Sequence, residues 1–238
     1  MKTSILDNPI WHALSTHQSK FSLGSELAKR YQPDVAPFVA MQNHQPECLS
    51  ALASLIADDD VVYLLGDEPR LPQNFNVKYS GIIAQMVCEN SEIVDVSEQD
   101  IFQLSSADVP DMLALTALTF PGYFRPRTYE MGDYFGVRQN GLLIAMAGER
   151  MALPGYQEIS AVCTHPDFRG QGHAERLIRK LISNMWKRGT TPFLHVGDEN
   201  ERAKRLYEKL GFVERSKLPI WSMTREKATW TGLTGWTR

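Results

Sequence analysis

The sequence predicts an α/β protein with a mixed sheet, arranged as two units over residues 1–98 and 99–238, and three observations carry that reading. Apolar runs of strand length alternate with helix-spaced stretches through the first hundred residues, as in an α/β layer. An Asn140-Gly141 pair separates two strand-like runs, and that dipeptide supplies the positive φ a tight hairpin turn requires. A strand over 158–164 then passes through a glycine-bearing turn directly into a helix.

In chain order, residues 11–14 and 25–30 have the spacing of short helices, and 35–41, 61–65 and 82–87 are apolar runs of strand length, with Pro37 pushing the first toward a sheet edge. Residues 47–57 repeat Leu49, Leu52, Leu55 and Ile56 at helical spacing and stop at Asp58-Asp59-Asp60. Three consecutive carboxylates cannot all face one ion from a regular element, so the triplet reads as a solvated turn and no metal site is expected. The acidic stretch 91–100, without an aromatic residue, is the expected boundary between the units.

Beyond it, 101–104 reads as a short strand, and Val109, Met112, Leu113 and Thr116 mark a helix that tolerates Pro110 in its first turn. Residues 121–128 form a loop rich in aromatics and arginine, and 134–138 with 142–150 make the hairpin. After the 158–164 strand, Ala174, Leu177, Ile178, Leu181, Ile182 and Met185 define one buried helix face. Residues 192–196 give another strand, and Asp198-Glu199-Asn200-Glu201 opens a helix in the manner of a capping box. Gly211 ends that helix, and 212–215 and 219–225 are expected as two closing strands.

Composition narrows the function. A hydrophobic content of 43% with 22% charged residues is ordinary for a soluble globular chain. The net charge of −3 conceals an asymmetry: residues 1–100 hold 6 Lys+Arg against 14 Asp+Glu, and the remainder holds 19 against 14. The second unit therefore suits a phosphate-bearing ligand, but its surplus is too small for a nucleic-acid partner. Cys48, Cys88 and Cys163 show neither Cys-x-x-Cys spacing nor a disulfide framework, no apolar run is long enough to cross a bilayer, and no signal segment opens the chain. The expectation is a cytoplasmic protein with no membrane partner. Trp221, Trp230 and Trp236 are candidates for a contact between subunits of a homo-oligomer.

The turn before the central helix reads Arg169-Gly170-Gln171-Gly172-His173-Ala174. It falls at a helix N-terminus, where backbone N–H groups lack partners and the dipole favours an anion. It is not a Walker loop, since no Gly-Lys-Ser/Thr follows, nor the dinucleotide Gly-x-Gly-x-x-Gly. It resembles the pyrophosphate loop of the GNAT superfamily of N-acetyltransferases, Arg/Gln-x-x-Gly-x-Gly/Ala. A second resemblance lies in Asn200-x-x-Ala203-x-x-Leu206-Tyr207-Glu208-Lys209-Leu210-Gly211-Phe212, which is similar to the last helix of that fold. Asn200 and Tyr207 are seven residues apart, close to two turns at ~3.6 residues each, so both can face one ligand. Taken by themselves, Tyr207 reads equally as a core aromatic with its hydroxyl at the rim, and Asn200 as a residue satisfying nearby backbone.

The resemblance implies transfer of an acetyl group from acetyl-CoA, as cosubstrate, to a primary amine by direct attack. The acceptor, a small molecule or a peptide, is left open. Backbone of Val162, Cys163 and Thr164 would pair with the pantetheine arm. Arg169, Gly170, Gln171, Gly172, His173, Ala174 and Glu175 would hold the pyrophosphate, and Asn200 would touch the same cofactor. Glu158, eleven residues before Arg169, stands where the histone-acetylating branch has its base. His195, five residues before Asn200, stands where the ribosomal-protein-acetylating branch has a glutamate base, and its unperturbed pKa of ~6.5 suits that role. Tyr207 would protonate the leaving thiolate, and a backbone N–H such as that of Val162 would stabilise the oxyanion. The plainer readings are a paired strand-end carboxylate at Glu158 and a structural histidine at His195. The two-unit layout looks like that of the glycine N-acyltransferase-like branch, whose first half is a degenerate copy, so residues 1–98 would be structural or substrate-shaping. The rival expectation is a non-catalytic acyl-CoA-binding or interaction module.

Overall fold

The computed structural model describes residues 4–90 and 100–226. The boundary stretch 91–99, Trp230, Trp236 and the rest of the C-terminal tail lie outside the described residues. Eight strands form one sheet in the order β4-β11-β5-β10-β9-β8-β7-β6. These are β4 (Val61–Leu65), β5 (Phe75–Cys88), β6 (Phe102–Gln103), β7 (Tyr134–Gln139), β8 (Leu142–Leu153), β9 (Tyr156–Thr164), β10 (Thr191–Gly197) and β11 (Phe212–Arg225). β9 and β10 run parallel and the other pairs are antiparallel, so the sheet is mixed, as expected. A small antiparallel sheet of β1 (Ser22–Gly24), β2 (Ala28–Tyr31) and β3 (Val39–Met41) stands beside it.

Among the described residues five α-helices cover the sheets: α1 (Pro9–Ser15), α2 (Pro46–Leu55), α3 (Val109–Thr119), α4 (His173–Lys187) and α5 (Glu201–Lys209). On one face Leu177, Ile178, Leu181 and Met185 of α4 and Tyr207 of α5 pack on Ile159, Leu194 and Phe212. The four α4 residues are fully buried, and burial of each such side chain contributes roughly 1.5–3 kcal/mol. On the other face Leu6, Ile10 and Leu14 pack on Met151, Leu153 and Phe193, and α3 lies over Tyr134 and Leu143. The hairpin turns as expected, with Asn140 and Gly141 at φ 51° and 83°.

Three expectations are corrected. Residues 25–30 are not a helix: residues 28–31 form a fully buried strand held between β1 and β3, and pairing on both sides overrides the helical spacing. The two closing strands are one, β11, with a register shift between Glu214 and Ser216 where a break was expected. The boundary at residue 98 separates stretches of sequence but not cores, because β5 lies in the sheet between β10 and β11, and apolar residues from both sides share one cluster. The acidic triplet diverges, with Asp60 pairing to Arg30 at 2.8 Å and Asp58 to Arg225 at 3.6 Å. No described helix is long and apolar enough to cross a membrane.

Candidate active site

β9 and β10 pair in parallel only from Thr191↔Tyr156 to Leu194↔Ile159, although β9 continues to Thr164 and β10 to Gly197. Ala161 explains the parting. It sits at φ 52°, inside a register shift against β8, so Ala161 and Val162 have no partner on either neighbouring strand. An αL residue of this kind kinks the strand and raises its local twist, which opens a wedge between two parallel strands. The alternation of side chains along 158–164 gave no sign of the bulge.

Two clefts meet at that wedge. The first, about 610 Å³, is lined by residues 162–164 and 169–175, by Asn200 and Tyr207, and by Phe120 and Arg202 among others. Every residue expected to hold the cofactor lines it. The second, about 400 Å³, includes Phe38, Tyr123, Arg150, Ser160 and His195. Phe120, Val162, Val196, Asn200 and Tyr207 line both.

The first cleft ends on the N-terminus of α4, whose N-cap is Gly172. Gly170 and Gly172 have φ of 82° and 79°, a conformation L side chains rarely adopt, and the space beside both is open. Their glycines are thus required by the backbone path as well as for ligand approach. The first bond of the helix is Arg176 N–H to Gly172 O, so among the described residues none of the amides of residues 170–175 donates to a backbone carbonyl. Nδ1 of His173 is also buried without a partner. Burial, with Arg176 nearby, pushes that imidazole below its ordinary value, so it stays neutral at pH 7. Glu175 does not oppose an anion here: its carboxylate is occupied by Lys209 at 2.8 Å and Arg179 at 2.9 Å. Six amides without a backbone acceptor among the described residues, a helix dipole and the neutralised Glu175 carboxylate fit a diphosphate.

Asn200 caps α5, its Oδ1 accepting from Ala203 N–H at 3.1 Å. The plainer reading of this residue therefore holds for its oxygen, and the residue also lines both clefts. Tyr207 is nearly buried, and burial pushes its hydroxyl up to about 12, so the phenol remains a proton donor. Cys163 is likewise pushed up to about 12 by burial and stays a thiol.

Glu158 is fully buried and lines neither cleft. Arg150 Nε and Nη2 donate to its two oxygens at 2.8 and 2.6 Å, His195 Nδ1 lies 2.8 Å from Oε1, and Met151 N–H donates at 3.3 Å. Burial raises its pKa, but the Arg150 charge and these hydrogen bonds outweigh burial and hold it at about 2. A carboxylate so held is a poor proton acceptor, and of the two residues His195, not Glu158, lines the second cleft. The sequence reading missed Arg150 and Gln85. Gln85 Nε2 donates to Leu6 O at 2.9 Å and lies 3.1 Å from His195 Nε2, while its Oε1 accepts from Arg215. Gln85 is a lone polar residue within the apolar run 82–87, and Glu149-Arg150 is a charged pair inside the otherwise apolar 142–153; those were the available signals.

The first unit builds part of the second cleft, contributing Phe38, Leu65, Ser80, Ile82 and Ile83. It is tied to the loop that carries Tyr123: Arg127 N–H donates to Asp34 O at 2.8 Å and Thr128 Oγ1 to Val35 O at 2.6 Å.

The fold and cleft define an acyl-CoA-dependent acetyltransferase, and comparison with known proteins agrees. Residues 134–221 match the family model described as FR47-like protein. The crystal structure of a protein assigned to the GNAT acetyltransferases in Novosphingobium aromaticivorans superposes with a TM-score of 0.87 at 37% identity, covering 94% of this chain and 100% of that one. The N-alpha-acetyltransferase RimI of Mycobacterium tuberculosis is 29% identical over 129 residues, 50% of this chain and 80% of that protein. The ribosomal protein bS18-alanine N-acetyltransferase of Escherichia coli is 36% identical over 81 residues, 34% of this chain and 54% of that protein. The chain belongs to the GNAT family of acetyltransferases.

Proposed function

We propose that the protein transfers an acetyl group from acetyl-CoA, bound in the 610 Å³ cleft, to a primary amine bound in the 400 Å³ cleft. The observation that carries this reading is that the two clefts share Phe120, Val162, Val196, Asn200 and Tyr207 at the wedge between β9 and β10. A thioester in the first cleft and an amine in the second would meet at these shared residues.

In this reading the unpaired edge of residues 162–164 takes the pantetheine arm as an added strand, and the amides of 170–175 take the pyrophosphate. Asn200 contacts the same cofactor. The amine nitrogen attacks the thioester carbonyl carbon, forming C–N and breaking C–S. One proton leaves the nitrogen and one reaches the sulfur. His195 Nε2 is the imidazole atom with a lone pair, since Nδ1 donates to Glu158, and it accepts the amine proton by exchanging its Gln85 contact. Glu158 acts as a positioning residue, fixing the tautomer and offsetting the imidazolium charge. Tyr207 protonates the thiolate. The amide of Val162, freed by the bulge, faces the developing oxyanion. Cys163, buried and protonated, is unsuited to carry the acetyl group, which favours direct attack. Residues 1–98 serve as the acceptor wall, and the three buried free cysteines suit a reducing, cytoplasmic setting.

The test is calorimetric titration with acetyl-CoA, followed by thiol release across a panel of amines. Binding with turnover supports the reading. Binding with no turnover on any amine supports the non-catalytic module instead, and no binding removes the cofactor site.

A further inference from the structure

The acceptor cleft has a chemical character that narrows the amine. Among the described residues no aspartate or glutamate lines it, and its one permanently charged side chain is Arg150. A polycationic amine would find no counter-charge there and would meet a guanidinium. Nε and Nη2 of Arg150 are engaged by Glu158, whereas Nη1 makes no hydrogen bond among the described residues. The guanidinium carbon lies 4.7 Å from the Phe38 ring centre, so the group is fixed from two sides before any ligand arrives. One wall of the cleft is apolar: Phe38 and Tyr123 stack at 6.2 Å beside Leu65, Ile82, Ile83 and Ile220, while its polar lining is uncharged or imidazole, from Ser80, Ser160, Asn200, Tyr207 and His195.

One further relationship fixes where the amine stands. Arg150 Nη2 and His195 Nδ1 bond the same oxygen of Glu158, at 2.6 and 2.8 Å. The guanidinium and the imidazole are therefore neighbours across one carboxylate. A ligand carboxylate on Nη1 brings an amine on the adjacent carbon toward His195, and an amine at the end of a long chain would be carried past it.

Resting on the acetyl-transfer reading, we propose that the acceptor is a free α-amino acid with an apolar or aromatic side chain, its carboxylate bound by Arg150 and its side chain by the Phe38–Tyr123 wall. The products are the N-acetyl amino acid and free coenzyme A. Because Glu158 already balances the guanidinium charge, selectivity comes from one charge-assisted hydrogen bond and not from net charge, which sets the scale at roughly 10–100-fold.

The experiment compares kcat/KM on the wild-type chain for L-phenylalanine and L-leucine with that for phenethylamine, isoamylamine and phenylalaninamide. The amide has the less basic amine, so protonation works against the expected result. Preference for the free amino acids by roughly 10–100-fold supports the proposal. Equal or better turnover of the amide, of the carboxylate-free amines, of spermidine or of a Phe-initiated peptide overturns it while leaving acetyl transfer intact. Bound acetyl-CoA with no turnover on any acceptor overturns both readings. Arg150→Lys, which keeps a cation beside Glu158, is expected to bring the preference close to one through acceptor KM with acetyl-CoA affinity unchanged. An unaltered preference in a folded variant removes Arg150 from the proposal.

Discussion

His195 Nδ1 lies 2.8 Å from Glu158 Oε1, although the two residues are 37 positions apart and belong to different strands. The parallel register of β9 and β10, with Phe193 opposite Glu158, produces this proximity. Gln85 fixes the proton. Its amide nitrogen faces His195 because its oxygen accepts from Arg215, so His195 accepts at Nε2 and donates at Nδ1. A polar row thus crosses four strands, from Arg150 through Glu158 and His195 to Gln85, under the cover of the N-terminal segment.

Glu158 links this row to stability. Its folded pKa of about 2 lies below the ordinary 4.5, so the unfolded chain binds more protons between those values. The stability Glu158 contributes is fully present above about pH 4.5 and is lost as pH falls toward 2. Glu158→Gln leaves the Arg150 guanidinium without its counter-ion, and a loss of ~3–5 kcal/mol is expected. Denaturant unfolding of both proteins at pH 7 and pH 3 measures it, with the gap between them narrowing at the lower pH.

Tyr207→Phe removes a hydroxyl from the junction of the two clefts and leaves the ring that packs against Phe212 at 6.0 Å. The expected result is kcat lower by ~10²–10⁴ with acetyl-CoA affinity within a few-fold of wild type. Calorimetry and thiol-release kinetics separate the two quantities. An unchanged kcat assigns thiolate protonation to another group.

Ala174→Glu tests the phosphate cradle with little risk to the fold. Ala174 lies in the first turn of α4, where a carboxylate is favourable to the helix but repels a diphosphate. Acetyl-CoA affinity is expected to fall by at least ~10-fold, with the circular dichroism spectrum and melting temperature retained. A substitution at Gly172 would confound the two effects, because φ of 79° strains any side chain.

Cys163→Ala distinguishes direct attack from an acyl-cysteine intermediate. The thiol is buried and held protonated, so the variant is expected to keep kcat within ~3-fold at a cost of about 1 kcal/mol in stability. Loss of turnover beyond 10²-fold, or a wild-type protein 42 mass units heavier after incubation with acetyl-CoA alone, would point to a covalent route.

What the sequence by itself determined is local. Helix α4 with its glycine turn, the Asn200 cap with Tyr207 two turns on, and the Asn140-Gly141 hairpin all rest on interactions spanning a few residues, and their physical signals are written contiguously. The tertiary structure alone decided the rest. Residues 28–31 became a strand because β1 and β3 flank them, β5 entered the sheet between β10 and β11, and Ala161 opened the wedge. Arg150, Glu158, His195 and Gln85 came together only once strands distant in sequence had set their register. Strand pairing joins backbone groups with no fixed separation along the chain, and one residue of register reverses which face a side chain occupies. For that reason the glycine turn before α4 was legible in advance, and the second cleft, walled by residues from both units, was not.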